Sequence, residues 1–159
     1  MQYAGIIYND FSAAPGVCLS FFTQGCPHHC PGCHNQETWS FDGGREFTPK
    51  VLEDIIQGIS ANGITRNFCI MGGEPLAEEN LFLTELVLSN VKKEYPNIKI
   101  YLWTGYYYNE LLEHPTPHLN AVLKMVDVLI DGPYVEAERD ITLPMRGSRN
   151  QSIINLKET

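Results

Sequence analysis

A chain of 159 residues has room for one domain around one substantial core. With 43% hydrophobic residues it is not a disordered polymer, and no apolar run reaches the ~20 residues that span a bilayer, so no membrane contact is expected. A net charge of −8 excludes the clustered Lys and Arg surface on which nucleic-acid binding rests.

The first residues, Met1-Gln2-Tyr3-Ala4-Gly5, lack the basic region and apolar stretch of a secretory signal, which predicts a cytoplasmic location. Five cysteines, an odd number, speak against a disulfide framework and suit reduced thiols. Val17-Cys18-Leu19-Ser20-Phe21-Phe22-Thr23 reads as a strand leading straight into a cysteine-rich loop. Thr48-Pro49 opens a helix, with threonine as N-cap and proline at the first helical position. Leu52, Ile55, Ile56 and Ile59 share one face of it, and Gly63 is its expected stop. Residues 67–71 form a short buried strand ending at Gly72-Gly73-Glu74-Pro75, and a longer helix covers 77–94. Residues 98–103 form the next strand, ending at Thr104-Gly105-Tyr106; helices start near Tyr107 and Pro117. Residues 126–130 form a strand ending at Asp131-Gly132-Pro133-Tyr134, and Ser152-Ile153-Ile154-Asn155 is a short edge strand.

Strands separated by helices indicate an α/β fold with a mostly parallel sheet and right-handed crossovers. A complete eight-unit barrel takes about 250 residues. Four or five units therefore form an open, partial β/α barrel, in one domain over residues 1–159. In such folds the chemistry gathers at the C-terminal ends of the strands. Here those ends carry the cysteine loop, Gly72-Gly73-Glu74-Pro75, Trp103-Thr104-Gly105-Tyr106 and Asp131-Gly132-Pro133-Tyr134. One rim would hold all four around a ligand cleft.

The cysteine loop is the strongest chemical signal. Cys26, Cys30 and Cys33 follow the spacing C-x₃-C-x₂-C, and three thiolates this close make a metal or cluster site. A four-iron cluster wants a ligand on each iron. Three protein ligands leave one iron open, and an open position is what a catalytic site keeps and a structural site closes. The alternative is zinc: His28, His29 or His34 would complete a Cys₃His site in an interaction module without catalysis. Zinc ribbons, however, bring two separated pairs, and no second pair follows. Cys18 and Cys69, isolated in apolar runs, read as small buried hydrophobes. Thr104 and Asp131 are weaker site candidates, since either residue type also caps a turn or helix. Arg139, Arg146 and Arg149 gather near the C-terminus, where a solvated loop and a docking contact are both open readings.

The cysteine loop after one strand and Gly72-Gly73-Glu74-Pro75 after the next together resemble the radical S-adenosylmethionine (SAM) enzymes. The resemblance implies that Cys26, Cys30 and Cys33 hold a [4Fe–4S] cluster and that its open iron takes the amino and carboxylate groups of SAM's methionine part. One electron then cleaves SAM to methionine and a 5′-deoxyadenosyl radical, the hard step being the cofactor's own. It implies further that Gly73 and Glu74 meet the methionine amino group, the paired glycines allowing close backbone approach. The residue before the third cysteine is often aromatic in the superfamily and lies against the adenine. Here it is Gly32, so the adenine contact is expected from backbone around Gly32 and Cys33 and from His34. Cys30-Pro31-Gly32-Cys33-His34-Asn35, Thr38-Trp39, Trp103-Thr104-Gly105-Tyr106 and Arg146-Gly147-Ser148-Arg149-Asn150-Gln151 narrow the resemblance. Over residues 16–151 the chain is similar to activating proteins of the anaerobic (class III) ribonucleoside-triphosphate reductases. That family takes a hydrogen atom from a glycine of its partner reductase and leaves a glycyl radical there, with a reduced flavodoxin-type protein as electron donor. An activator of another glycyl radical enzyme, of formate-lyase type, is the neighbouring alternative; those activators are longer.

Overall fold

Side chains alternate along four strands and so divide the interior in two. The strands are β2 (Cys18–Thr23), β4 (Asn67–Gly72), β5 (Ile100–Trp103) and β6 (Val128–Asp131). Leu19, Phe21, Phe68, Ile70, Ile100, Leu102 and Leu129 are fully buried in one cluster, while Cys18, Cys69, Tyr101, Val128 and Ile130 belong to another. The computed structural model describes residues 1–34 and 36–157.

The first set packs against the helices α1 (Pro49–Ile59), α2 (Glu78–Glu94), α3 (Tyr108–Glu113) and α4 (Pro117–Met125). Ile55 and Ile59 of α1, Leu83, Val87 and Val91 of α2, Leu111 of α3, and Leu119 and Val122 of α4 supply the facing side chains. Each buried side chain of this size is worth roughly 1.5–3 kcal/mol, so this layer dominates the stability. The second set is covered by loop residues Ala13, Ala14 and Met145.

Among the described residues, seven strands form one sheet in the order β3-β1-β2-β4-β5-β6-β7, with β1 at Gln2–Asp10, β3 at Arg45–Glu46 and β7 at Ser152–Asn155. β2, β4, β5 and β6 run parallel, in registers such as Leu19↔Phe68 and Leu102↔Leu129. β1 is antiparallel to β2, β3 to β1, and β7 to β6. Five of the seven strands therefore point the same way, and the sheet is open, with β3 and β7 as its edges.

The expected central strands and helices form within a residue or two of their predicted positions. Thr48 caps α1 by accepting from the Val51 N–H, with Pro49 in the first turn. Two features differ. β1 and β3 carry no sequence signal: only Tyr3 and Asp10 of β1 are buried, and its ladder to β2 shifts register twice. The helix α1 stops at Ile59 rather than running to Gly63, which instead closes a short turn at φ 73°. The reason is Arg66, only 3% exposed, whose guanidinium takes the carbonyls of Gly58, Ile59, Ala61 and Ile64 and the Asn9 side-chain oxygen. A cation there also suits the negative end of the helix dipole.

Candidate functional site

Parallel neighbours pass their following loops over one rim, and the loops after β2, β4, β5 and β6 enclose a cavity of about 190 Å³. Cys26, Cys30 and Cys33 line it together with Gly72 and Gly73, Trp103, Thr104 and Gly105, and Gly132 and Tyr134. All four strand-end motifs thus contribute to one wall.

The thiol loop is clamped at its base. Gly25 N–H donates to Thr38 O at 2.6 Å and Cys26 N–H to Trp39 O at 3.0 Å. Gln24 Nε2 donates to the carbonyls of Glu37 and Ser40 at 3.1 and 2.7 Å. At the tip, Cys33 N–H turns back to Cys30 O at 3.1 Å. Cys26 is buried, and Cys30 and Cys33 are half-buried. Burial pushes the Cys26 and Cys30 thiols up, so a metal bound here must drive their deprotonation.

Among the described residues, no three His, Cys, Asp or Glu side chains converge on a single ion position. The thiols stand around the cavity wall instead. Three thiols on one wall match a cluster that takes one protein ligand per iron and leaves one iron open. Trp39, stacked on His29 at 4.6 Å, lines the same cavity. Its indole N–H is buried with no partner among the described residues, leaving a donor for a bound group.

Gly72-Gly73 is where the β4 rim crosses the thiol loop. Gly73 N–H donates to Thr23 O at 2.9 Å and Glu74 N–H to Gly25 O at 2.8 Å. A Cβ on Gly72 would sit 2.6 Å from Thr23 N, and one on Gly73 would sit 2.3 Å from Gly25 O. The glycines therefore permit close approach of the chain to itself, a role beyond the ligand contact expected from the sequence.

The remaining expected residues divide. Gly73 and Cys33 reach the cavity wall; Gly32, His34 and Glu74 do not. Glu74 is 0% exposed, and its carboxylate is engaged by His28, Leu76, Thr104 and Gly105. A direct contact between that carboxylate and a ligand ammonium would require one of these partners to leave. Gly32 and His34 are exposed on the crest of the loop, with the His34 ring 6.0 Å from Tyr134. Asn35 lies outside the described residues. Thr104 serves Glu74, and Asp131 accepts from Tyr108 N–H at 2.9 Å and Ser152 N–H at 3.1 Å, so it caps α3 and anchors β7.

Of the arginines, Arg146 donates to Gln151 O at 3.3 Å and Arg149 is exposed. Gln151 accepts from Gly147 and Ser148 N–H, donates to Gly132 O at 2.9 Å, and lines the cavity. Arg146-Gly147-Ser148-Arg149-Asn150-Gln151 thus folds back to brace the β6 loop. Among the other wall residues, the sequence offers His28 only as an alternative zinc ligand and Trp103, Tyr134 and Gln151 only as members of motifs, and it gives Met71 no role of its own. Position at or just after a strand end was the available signal for Met71, Trp103 and Tyr134.

A family model described as a 4Fe-4S single cluster domain matches residues 13–154. Among curated relatives, the anaerobic ribonucleoside-triphosphate reductase-activating protein of Vibrio cholerae is 37% identical over 154 residues, covering 96% of this chain and 97% of that protein. The protein of that name from Escherichia coli is 33% identical over 99% of this chain and 100% of its own length. That of bacteriophage T4 is 34% identical over 96% of this chain and 93% of its own. With relatives of one name matched end to end and a cluster-domain model spanning the three thiols, the chain belongs to the family of anaerobic ribonucleoside-triphosphate reductase-activating proteins.

Proposed function

We propose that this protein is a radical SAM activating enzyme that generates a glycyl radical on an anaerobic ribonucleoside-triphosphate reductase. The observation that carries the reading is the thiol set: three cysteines, and no fourth among the described residues, line a cavity shared with the Gly72-Gly73 turn. In this reading Cys26, Cys30 and Cys33 ligate a [4Fe–4S] cluster and leave one iron for SAM. The backbone at Gly73 faces the methionine amino group, with Glu74 holding that turn in place. Gly32, Cys33 and His34 serve the adenine end, beside Tyr134. When bound, cluster and SAM supply a one-electron cleavage of a carbon–sulfur bond, releasing methionine and taking a hydrogen atom from a glycine of the reductase. The chain's own part is to hold the cluster by three thiolates, orient SAM and exclude water from the reacting position.

The winding supports a partial radical SAM barrel: β2, β4, β5 and β6 follow in chain order, and the helices share one hydrophobic cluster with one face of the sheet. The chain acts as a single domain in the cytoplasm, where its five free cysteines stay reduced. A reduced flavodoxin-type protein supplies the electron, as the family resemblance implies. Anaerobic reconstitution tests the reading. The protein should take up about four irons with matching sulfide. With dithionite and SAM it should then release methionine and 5′-deoxyadenosine in equal amounts. Zinc uptake in place of iron, or a full cluster that leaves SAM intact, would overturn it.

A further inference from the structure

The Glu74 carboxylate is fully buried yet lies off the cavity wall, and three chain segments converge on it. Oε1 accepts from Gly105 N–H at 2.6 Å and stands 2.7 Å from His28 Nε2. Oε2 accepts from Thr104 Oγ1 at 2.8 Å and Leu76 N–H at 2.9 Å. A carboxylate with these partners only accepts, so His28 Nε2 is the fourth donor. His28 sits midway between Cys26 and Cys30 and lines the cavity with them. Its contact with Glu74 therefore ties the thiol loop to the turns after β4 and β5. The ring is gripped on its other sides as well. Tyr106 meets it edge-on at 4.5 Å, and a Cβ on Gly105 would stand 2.5 Å from it.

We propose that His28 is a positioning residue for the SAM reaction: through Glu74 it locks the thiol loop against the Gly72-Gly73 turn. It thereby fixes the cluster's open iron relative to the backbone that holds the methionine group. The proposal rests on the reading of this cavity as a cluster and SAM site. Partners one step behind a metal site commonly contribute 10- to 100-fold to metal affinity or activity, and an effect at the low end of that range is expected here on SAM.

The test uses anaerobically reconstituted protein, with three readouts besides turnover: iron per chain, SAM affinity, and the electron paramagnetic resonance spectrum of the reduced cluster with and without SAM. His28→Ala should load iron to the wild-type level, because all three thiols remain, but bind SAM about tenfold more weakly. The spectral change that SAM causes should be lost or altered. His28→Gln keeps an N–H donor for Oε1 and should recover most of the affinity. Gly105→Ala keeps the His28 and Glu74 side chains but crowds the imidazole ring with its Cβ, and should weaken SAM binding in the same way. SAM affinity and spectrum in His28→Ala within about twofold of wild type would overturn the proposal. Loss of iron from both His28 variants would also overturn it, since the ring would then be a ligand or a folding element. A wild-type protein that carries a full cluster and binds no SAM would instead defeat the reading of the cavity, and this proposal with it.

Discussion

Cys26, Cys30 and Cys33 share a cavity wall, whereas Cys18 and Cys69 are buried among apolar side chains on one face of the sheet. The Cys69 thiol is pushed up, first by its hydrogen bond to Cys18 and then by burial, which keeps it protonated and inert. Replacing any one of the wall cysteines by alanine should abolish reductive SAM cleavage, read as 5′-deoxyadenosine released under dithionite. Cys69→Ala should load iron normally and lose only about 1 kcal/mol of stability. Full cleavage in Cys30→Ala would refute the ligand assignment. At this scale spacing made the thiols legible, because three cysteines within eight residues have few uses. The place of Glu74 was not legible. A carboxylate beside paired glycines looks like a ligand contact; that donors from residues 28, 76, 104 and 105 would fill its oxygens depends on three loops meeting in space.

The central strands and the helices were legible because alternation and capping are local: Leu19 and Phe21 on one side and Cys18 on the other, Thr48 before Pro49. β1 was not, because its pairing depends on the backbone of β2 and few of its side chains are buried. Two polar side chains, one beside that strand and one at its end, lend themselves to measurement. Arg66 gathers the carbonyl ends of α1 and of the turn after it, so Arg66→Met strips four carbonyls and the Asn9 side-chain oxygen of their charged donor. That should cost about 3 kcal/mol in a denaturant melt; a loss under about 0.5 kcal/mol would mean that water takes over those carbonyls. Asp10 ends β1 and accepts from Ser20 Oγ at 2.7 Å and from the Ser12 and Ala13 N–H groups at 2.9 and 3.1 Å. Burial alone would raise its pKa, but these hydrogen bonds outweigh it and hold the carboxyl below its ordinary value. A carboxyl lowered in the folded state stabilises the protein above its unfolded pKa of about 3.9, and that contribution vanishes as pH falls through the folded value. Asp10→Asn should therefore be less stable than wild type by about 1 kcal/mol at neutral pH, with the gap closing in acid. A gap that stayed constant down to acid pH would contradict this.

Over the whole molecule, the open sheet leaves the rim cavity beside loops rather than inside a closed barrel. A hydrogen-abstracting species needs cover from water and stray side chains. A large partner that presents a glycine-bearing segment would supply both substrate and cover, which is why a protein substrate fits this architecture better than a small molecule. The fold class and the gathering of four motifs on one rim were readable from strand order and strand ends. The three antiparallel flanking strands were largely not, since of these only β7 has a local signature. The most direct measurement is anaerobic. The reduced, SAM-loaded protein is mixed with the anaerobic ribonucleoside-triphosphate reductase and an electron paramagnetic resonance spectrum is recorded. A glycyl radical doublet should appear on the reductase, with 5′-deoxyadenosine formed alongside it. Abundant 5′-deoxyadenosine with no radical on the reductase would contradict the account.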